Sequence, residues 1–80
     1  MNSEKDFSDF LYQIGKRLYR AREAVGLSRE ALQNRAGIHR NTIARYENGE
    51  ASPTLRNLVV IADALGYKVN IQFVKKEETP

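Results

Sequence analysis

Apolar positions in the first third of the chain recur at helical spacing. Phe7, Leu11, Ile14, Leu18 and Val25, with Phe10 and Ala21 beside them, lie three, four or seven residues apart, which predicts one amphipathic helix. Residues 1–6 ahead of it are polar and are expected to be flexible. Gly15 interrupts the pattern at a cost of roughly 1 kcal/mol relative to alanine, which a packed face can absorb or which marks a close helix approach. Gly26 suits the left-handed position that ends a helix.

Two short helices come next. Ser28 is a good N-cap for a helix over about Arg29 to Ala36, with Glu30 near its positive end and Ala31, Leu32 and Ala36 as its apolar positions. Gly37 stops that helix, Ile38 fills the corner, and the following helix runs from about Arg40 to Tyr46 or Glu47. At 100° per residue, Arg40, Asn41, Ala44 and Arg45 share one arc of it, whereas Ile43 and Tyr46 point to the other side. Asn48-Gly49 closes it, and Glu50 to Pro53 is a loop. Thr54 caps a fourth helix, Leu55 to Leu65, whose expected apolar face is Leu55, Leu58, Val59, Ala62 and Leu65, with Gly66 as its stop. The period then drops to two: Tyr67, Val69, Ile71 and Phe73 alternate with Lys68, Asn70 and Gln72, the signature of a strand over 67–74. The charged residues 75–80 are expected to form a flexible tail.

Charge sharpens this outline. The formal net charge is only +3, yet from Lys16 to Arg45 eight basic residues (Lys16, Arg17, Arg20, Arg22, Arg29, Arg35, Arg40, Arg45) face two acids, Glu23 and Glu30. Such a concentration fits a polyanion-binding face, although a solvated basic helix would look the same. The absence of cysteine removes disulfides and Cys-rich zinc sites, and His39, the single histidine, builds no metal centre alone. No long apolar run spans a membrane, and the acidic start (Glu4, Asp6, Asp9) does not look like a signal peptide, so a cytoplasmic protein is expected. No paired carboxylates at a recognisable cleft, Ser/His/Asp set or phosphate loop can be assembled. Neither enzymatic activity nor a cofactor is therefore expected.

Two short helices around a glycine turn, the second opening with base-reading side chains, follow the pattern of a helix-turn-helix. The stretch from Ile14 to Gly66 resembles the Cro/repressor class of such domains, often called XRE-type. The likeness rests on the Arg-x-x-x-Gly-Leu-Ser run from Arg22 to Ser28, Leu32, Gly37-Ile38, Thr42-Ile43, Tyr46-Glu47-Asn48-Gly49, Ser52-Pro53 and Leu65-Gly66. It covers about two thirds of the chain without a gap. The implied fold is mainly α, a lambda-repressor-like bundle of four helices over 7–66. A C-terminal β-strand, expected to dimerise, follows it.

By resemblance, Arg40, Asn41 and Arg45 occupy the base-reading positions. Their chemistry agrees, since arginine pairs with guanine O6 and N7 and asparagine with adenine N6 and N7, although plain solubility would also account for polar residues there. Ser28, Arg29 and the free N–H groups at the start of the second helix are expected to hold a phosphate, with Lys16, Arg17 and Asn48 as lesser candidates. Arg22 and Glu47 correspond to a pair that often forms a semi-buried salt bridge in this family, read here as bracing more than as phosphate positioning. Two residues depart from the pattern. Gln33 replaces a usual small alanine, so the contact between the second and third helices is expected to be looser or rotated outward. His39 replaces a usual Ser or Thr cap and is left to cap weakly, touch a phosphate or face water.

A lone strand cannot satisfy its own backbone groups. Antiparallel pairing of Tyr67, Val69, Ile71 and Phe73 with the same strand of a second copy predicts a homodimer; folding back as an extended tail on its own domain is the alternative. A two-fold dimer spaces its recognition helices by about 34 Å, so the expected partner is double-stranded DNA carrying an inverted repeat. The leading expectation is a sequence-specific repressor. A helix-turn-helix followed by one strand also resembles the antitoxin repressors of toxin–antitoxin modules, which bind a toxin protein as well as their own promoter, but only six residues follow Val74. A protein-interaction module that has lost DNA binding is the alternative of a different class.

Overall fold

The computed structural model describes residues 3–77, which form α1 (Ser3–Val25), α2 (Arg29–Ala36), α3 (Arg40–Glu47) and α4 (Leu55–Ala64). Local chemistry sets the ends of the central helices. The Ser28 hydroxyl accepts from the Ala31 N–H at 3.0 Å, and the Thr54 hydroxyl accepts from the Asn57 N–H at 3.0 Å. Gly37 sits in the left-handed region (φ 72°), and its N–H donates to the Gln33 carbonyl at 2.8 Å, closing α2 and turning the chain toward α3.

The core is small and central. Leu18 of α1, Leu32 of α2, Ile43 and Tyr46 of α3, and Ile61 and Leu65 at the end of the chain's helical part form one buried cluster, with Ile14, Ala21, Leu27, Ile38 and Leu58 packed around it. Leu32, Ile43 and Ile61 are fully enclosed, each side chain contributing roughly 1.5–3 kcal/mol by removal from water. α3 is the hub, packing on both α1 and α2, and α4 packs on α2. The Asn57 amide donates to the Tyr46 hydroxyl at 2.9 Å, a polar tie between α4 and α3.

Gly15 explains how α1 lies so close to α3. A Cβ there would stand 2.5 Å from the Tyr46 carbonyl oxygen and 2.6 Å from that of Glu47. Both obstacles are backbone, so the absent side chain is what permits the contact.

Four expectations are corrected. The first helix starts at Ser3 and not near residue 7, so most of the segment assigned to a flexible N-terminus is helical. Glu4 and Asp6 in the first turn favour that start through the helix dipole, and Lys5 pairs with Asp9 one turn on at 3.4 Å. Met1 and Asn2 lie outside the described residues. Second, the apolar stripe of α1 is only partly buried: every residue from Ser3 to Phe10 is exposed, Phe7 and Phe10 included, because this half of the helix runs past its neighbours. Third, α4 ends at Ala64 with Leu65 as its cap, and its inward face is Ile61, Ala62 and Leu65 with the half-buried Leu58, while Leu55 and Val59 are exposed.

The fourth correction concerns the strand. No strand is present among the described residues, and 67–77 run without ladder hydrogen bonds. The physical reason is the one that motivated the dimer: the described residues of one chain hold no strand for this segment to pair with. Val69 is half-buried, whereas Tyr67, Ile71 and Phe73 are exposed, Phe73 almost completely. Residues 75–77 of the expected tail are likewise exposed and without regular structure, and 78–80 lie outside the described residues.

Candidate nucleic-acid interface

α3 is anchored by one face and open on the other. Ile43, Tyr46 and Glu47 are buried, Thr42 and Ala44 are half-buried, and Arg40, Asn41 and Arg45 are exposed. With 3.6 residues per turn, the three polar side chains share the outward arc of a helix whose inner face is locked into the core.

Its N-terminus is capped from two directions. The His39 imidazole accepts from the Asn41 N–H through Nδ1 at 3.0 Å, so this nitrogen is unprotonated in the capped form. The Gln33 side-chain oxygen, reaching across from α2, accepts from the Arg40 N–H at 2.8 Å. These contacts occupy two of the donors that a helix start leaves unpaired. Gln33, the residue that departs from the usual small alanine, thus has the reach and the acceptor to tie α2 to the start of α3. Of the three roles left open for His39, the geometry shows capping.

At the other end, Glu47 holds two arginines. Its side chain is 1% exposed and accepts from Arg22 Nε at 2.7 Å, Arg22 Nη2 at 3.0 Å and Arg29 Nε at 3.0 Å. Arg22, itself buried, also donates through Nη1 to the Leu27 carbonyl at 2.9 Å and lies 5.4 Å from the Tyr19 ring centre. The hydrogen bond to Glu47 raises Arg22 above its ordinary value, outweighing the burial that works against its charge. Arg22 and Glu47 therefore brace α1 against the end of α3. Arg29 is the unexpected third member; its side chain is 38% exposed, with Nε steered by Glu47.

A concavity beside this cluster is lined by Tyr12, Lys16, Tyr19, Arg20, Arg29, Glu47 and Asn48. It brings together Lys16, Arg29 and Asn48 of the expected phosphate set. Arg17 and Ser28 are exposed but outside its lining, and His39 is engaged at the opposite end of α3. Lys16 Nζ lies 5.2 Å from the centre of the Tyr12 ring. Tyr12 and Tyr19 were missed by sequence reasoning, and Arg20 was counted only among the clustered basic residues. The signal was present: with Lys16 they sit at i, i+4, i+7 and i+8, one face of α1. A hydrogen bond with Glu23, then its negative charge, raises the Tyr19 phenol above its ordinary value and keeps it a neutral donor.

A second concavity lies between α4 and the segment after it, lined by Val59, Asp63, Gly66, Tyr67, Lys68 and Val69. Exposed Ile71 and Phe73 continue along that segment. Among the described residues, no group of three or more His, Cys, Asp or Glu side chains could hold a metal ion, and no helix is long and apolar enough to cross a membrane.

Comparison with known proteins agrees with this geometry. A helix-turn-helix family model matches residues 18–71. The chain is 36% identical over 58 residues to the cryptic phage CTXphi transcriptional repressor RstR of Vibrio cholerae, covering 72% of this chain and 52% of that protein. It is 30% identical over 67 residues to the HTH-type transcriptional regulator y4dJ of Sinorhizobium fredii, covering 84% and 87% of the two chains. The chain thus spans about half the length of the phage repressor and most of the rhizobial protein. Among solved structures, the restriction-modification controller protein C.AhdI from Aeromonas hydrophila superposes with a TM-score of 0.75 at 33% identity, over 79% of this chain and 91% of that one. Fold, capped turn and matched sequence together place the chain in the Cro/repressor, or XRE-type, helix-turn-helix family.

Proposed function

We propose that this chain is a sequence-specific, dimeric DNA-binding transcriptional regulator, a repressor that occupies an inverted-repeat operator and excludes RNA polymerase from it. One observation carries the reading: the outward arc of α3 presents Arg40, Asn41 and Arg45 while its inner face is fixed in the core. Side chains held this way enter the major groove with defined reach, and arginine and asparagine match the edges of guanine and adenine there. Lys16, Arg29 and Asn48 grip phosphate beside α3, with Ser28 and Arg17 at the margin, setting the register without reading sequence. RstR is named a transcriptional repressor and C.AhdI a controller protein, which supports the regulatory reading by kinship.

The dimer would form through Tyr67, Val69, Ile71 and Phe73, whose alternation, with all but the half-buried Val69 exposed, suits a strand completed by a second copy. The same exposed segment favours a second reading, an antitoxin that covers it with a toxin protein. Sedimentation of the chain alone separates them: a dimer supports the first, and a monomer that pairs only with another protein supports the second. The DNA reading itself is tested by mobility shift on duplexes selected from random sequence. Arg40→Ala and Asn41→Ala are expected to weaken binding; if neither does so on any selected duplex, the regulator reading fails.

A further inference from the structure

The start of α3 is tied to α2 by a hydrogen bond, the Gln33 side-chain oxygen accepting from the Arg40 N–H at 2.8 Å. α3 has only eight residues, and its buried anchors, Ile43, Tyr46 and Glu47, begin at its fourth position, so none lies among Arg40, Asn41 and Thr42. Arg40 and Asn41 stand on the first turn, where a short helix frays most readily. His39 supplies a cap from within the turn, but a cap that moves with the helix cannot fix the helix relative to α2. Gln33 can, because Leu32 beside it is fully buried and α2 is closed at its own end by Gly37.

From this geometry we infer that Gln33 is a positioning residue for sequence reading: it latches the first turn of α3 to α2 and so sets where Arg40 and Asn41 meet the bases. It touches no base and acts through the Arg40 backbone. The inference rests on the DNA-binding reading above, in that the latch has a specificity role only if α3 reads DNA. A latch that fixes reading side chains affects the ratio of selected to random binding, because phosphate contacts from Lys16 and Arg29 do not pass through it.

The test uses the full chain with Gln33→Met, which keeps length and removes the acceptor, and Gln33→Glu, which restores an acceptor of the same reach. Water-exchange NMR reads the Arg40 amide directly, without DNA. Gln33→Met is expected to speed its exchange by roughly threefold to tenfold, the range that one net hydrogen bond supplies, and Gln33→Glu to return it to the original rate. Fluorescence anisotropy on the most enriched selected duplex and on a random duplex, at one salt concentration, gives the specificity ratio. In Gln33→Met this ratio should fall by roughly threefold to tenfold while random binding stays within about twofold. In Gln33→Glu both affinities fall through the added negative charge, but the ratio is kept.

Equal loss of protection at Arg40 and at Ile61 in α4 would mean general destabilisation and would overturn the proposal. So would an unchanged ratio in Gln33→Met despite faster Arg40 exchange. If the unmodified chain binds no DNA, the regulator reading falls and the specificity role with it, and the exchange arm still reports whether the contact exists.

Discussion

Replacing Glu47 with alanine removes the acceptor on which the Arg22 and Arg29 contacts converge. The carboxylate is 1% exposed and takes three hydrogen bonds at 2.7–3.0 Å, two from Arg22 and one from Arg29. Without it, the Arg22 side chain, 8% exposed, keeps the Leu27 carbonyl, the Tyr19 ring and the charge of Glu23 as partners for a full charge, but no carboxylate hydrogen-bonded to it. Breaking a buried pair on one side costs about 3–5 kcal/mol, because the remaining charge has lost both water and its counter-ion. An eighty-residue domain at roughly 0.05–0.15 kcal/mol per residue has about 4–12 kcal/mol in total, so the substitution should consume a large part of it. Urea unfolding followed by helical circular dichroism, at one fixed protein concentration, measures the loss. Arg29→Ala in the same assay should cost no more than about 1 kcal/mol, since that guanidinium is partly solvated. A loss below about 1 kcal/mol for Glu47→Ala would show that water screens the cluster, and the bracing argument would be wrong.

Gly15→Ala should lower the melting temperature: the strain of a Cβ against two carbonyl oxygens, about 1–3 kcal/mol, exceeds the roughly 1 kcal/mol gained in helix propensity. A higher melting temperature would mean that α1 and α3 have room to separate. In DNA binding, Arg29→Ala should reduce affinity similarly on all duplexes and lower the salt slope by about one, whereas Asn41→Ala should erase preference at one base position; a uniform loss for both would count against Asn41 as a reader. Truncation after Gly66 should give a monomer with greatly weakened operator binding, and an unchanged sedimentation mass would rule out a dimer through 67–74. His39→Ala should destabilise the chain by about 1 kcal/mol through loss of the α3 cap, and His39→Ser should restore it; thermal unfolding of the two variants decides.

What could be seen in the residues alone was what local chemistry decides. Ser28, Gly37 and Thr54 place the ends of helices through hydrogen bonds and φ angles within a few residues, so α2 and the start of α4 fall where the pattern predicts them. The outward arc of Arg40, Asn41 and Arg45 follows from helical geometry once Ile43 and Tyr46 are taken as core, and so it too was visible. Only the tertiary structure decided which part of an apolar stripe finds a partner. Periodicity marks Phe7, Phe10, Leu55 and Val59 as apolar positions on helices, but it is blind to where a neighbouring helix stops, and all four remain exposed while Ile61 is enclosed. The contacts from Gln33 to Arg40 and from Arg29 to Glu47 join residues 7 and 18 positions apart. Those distances close only after the turns have brought α2 across both ends of α3. For the segment 67–74, the alternation is written in the chain, but a strand exists only through hydrogen bonds to another strand, and the described residues of one chain hold none.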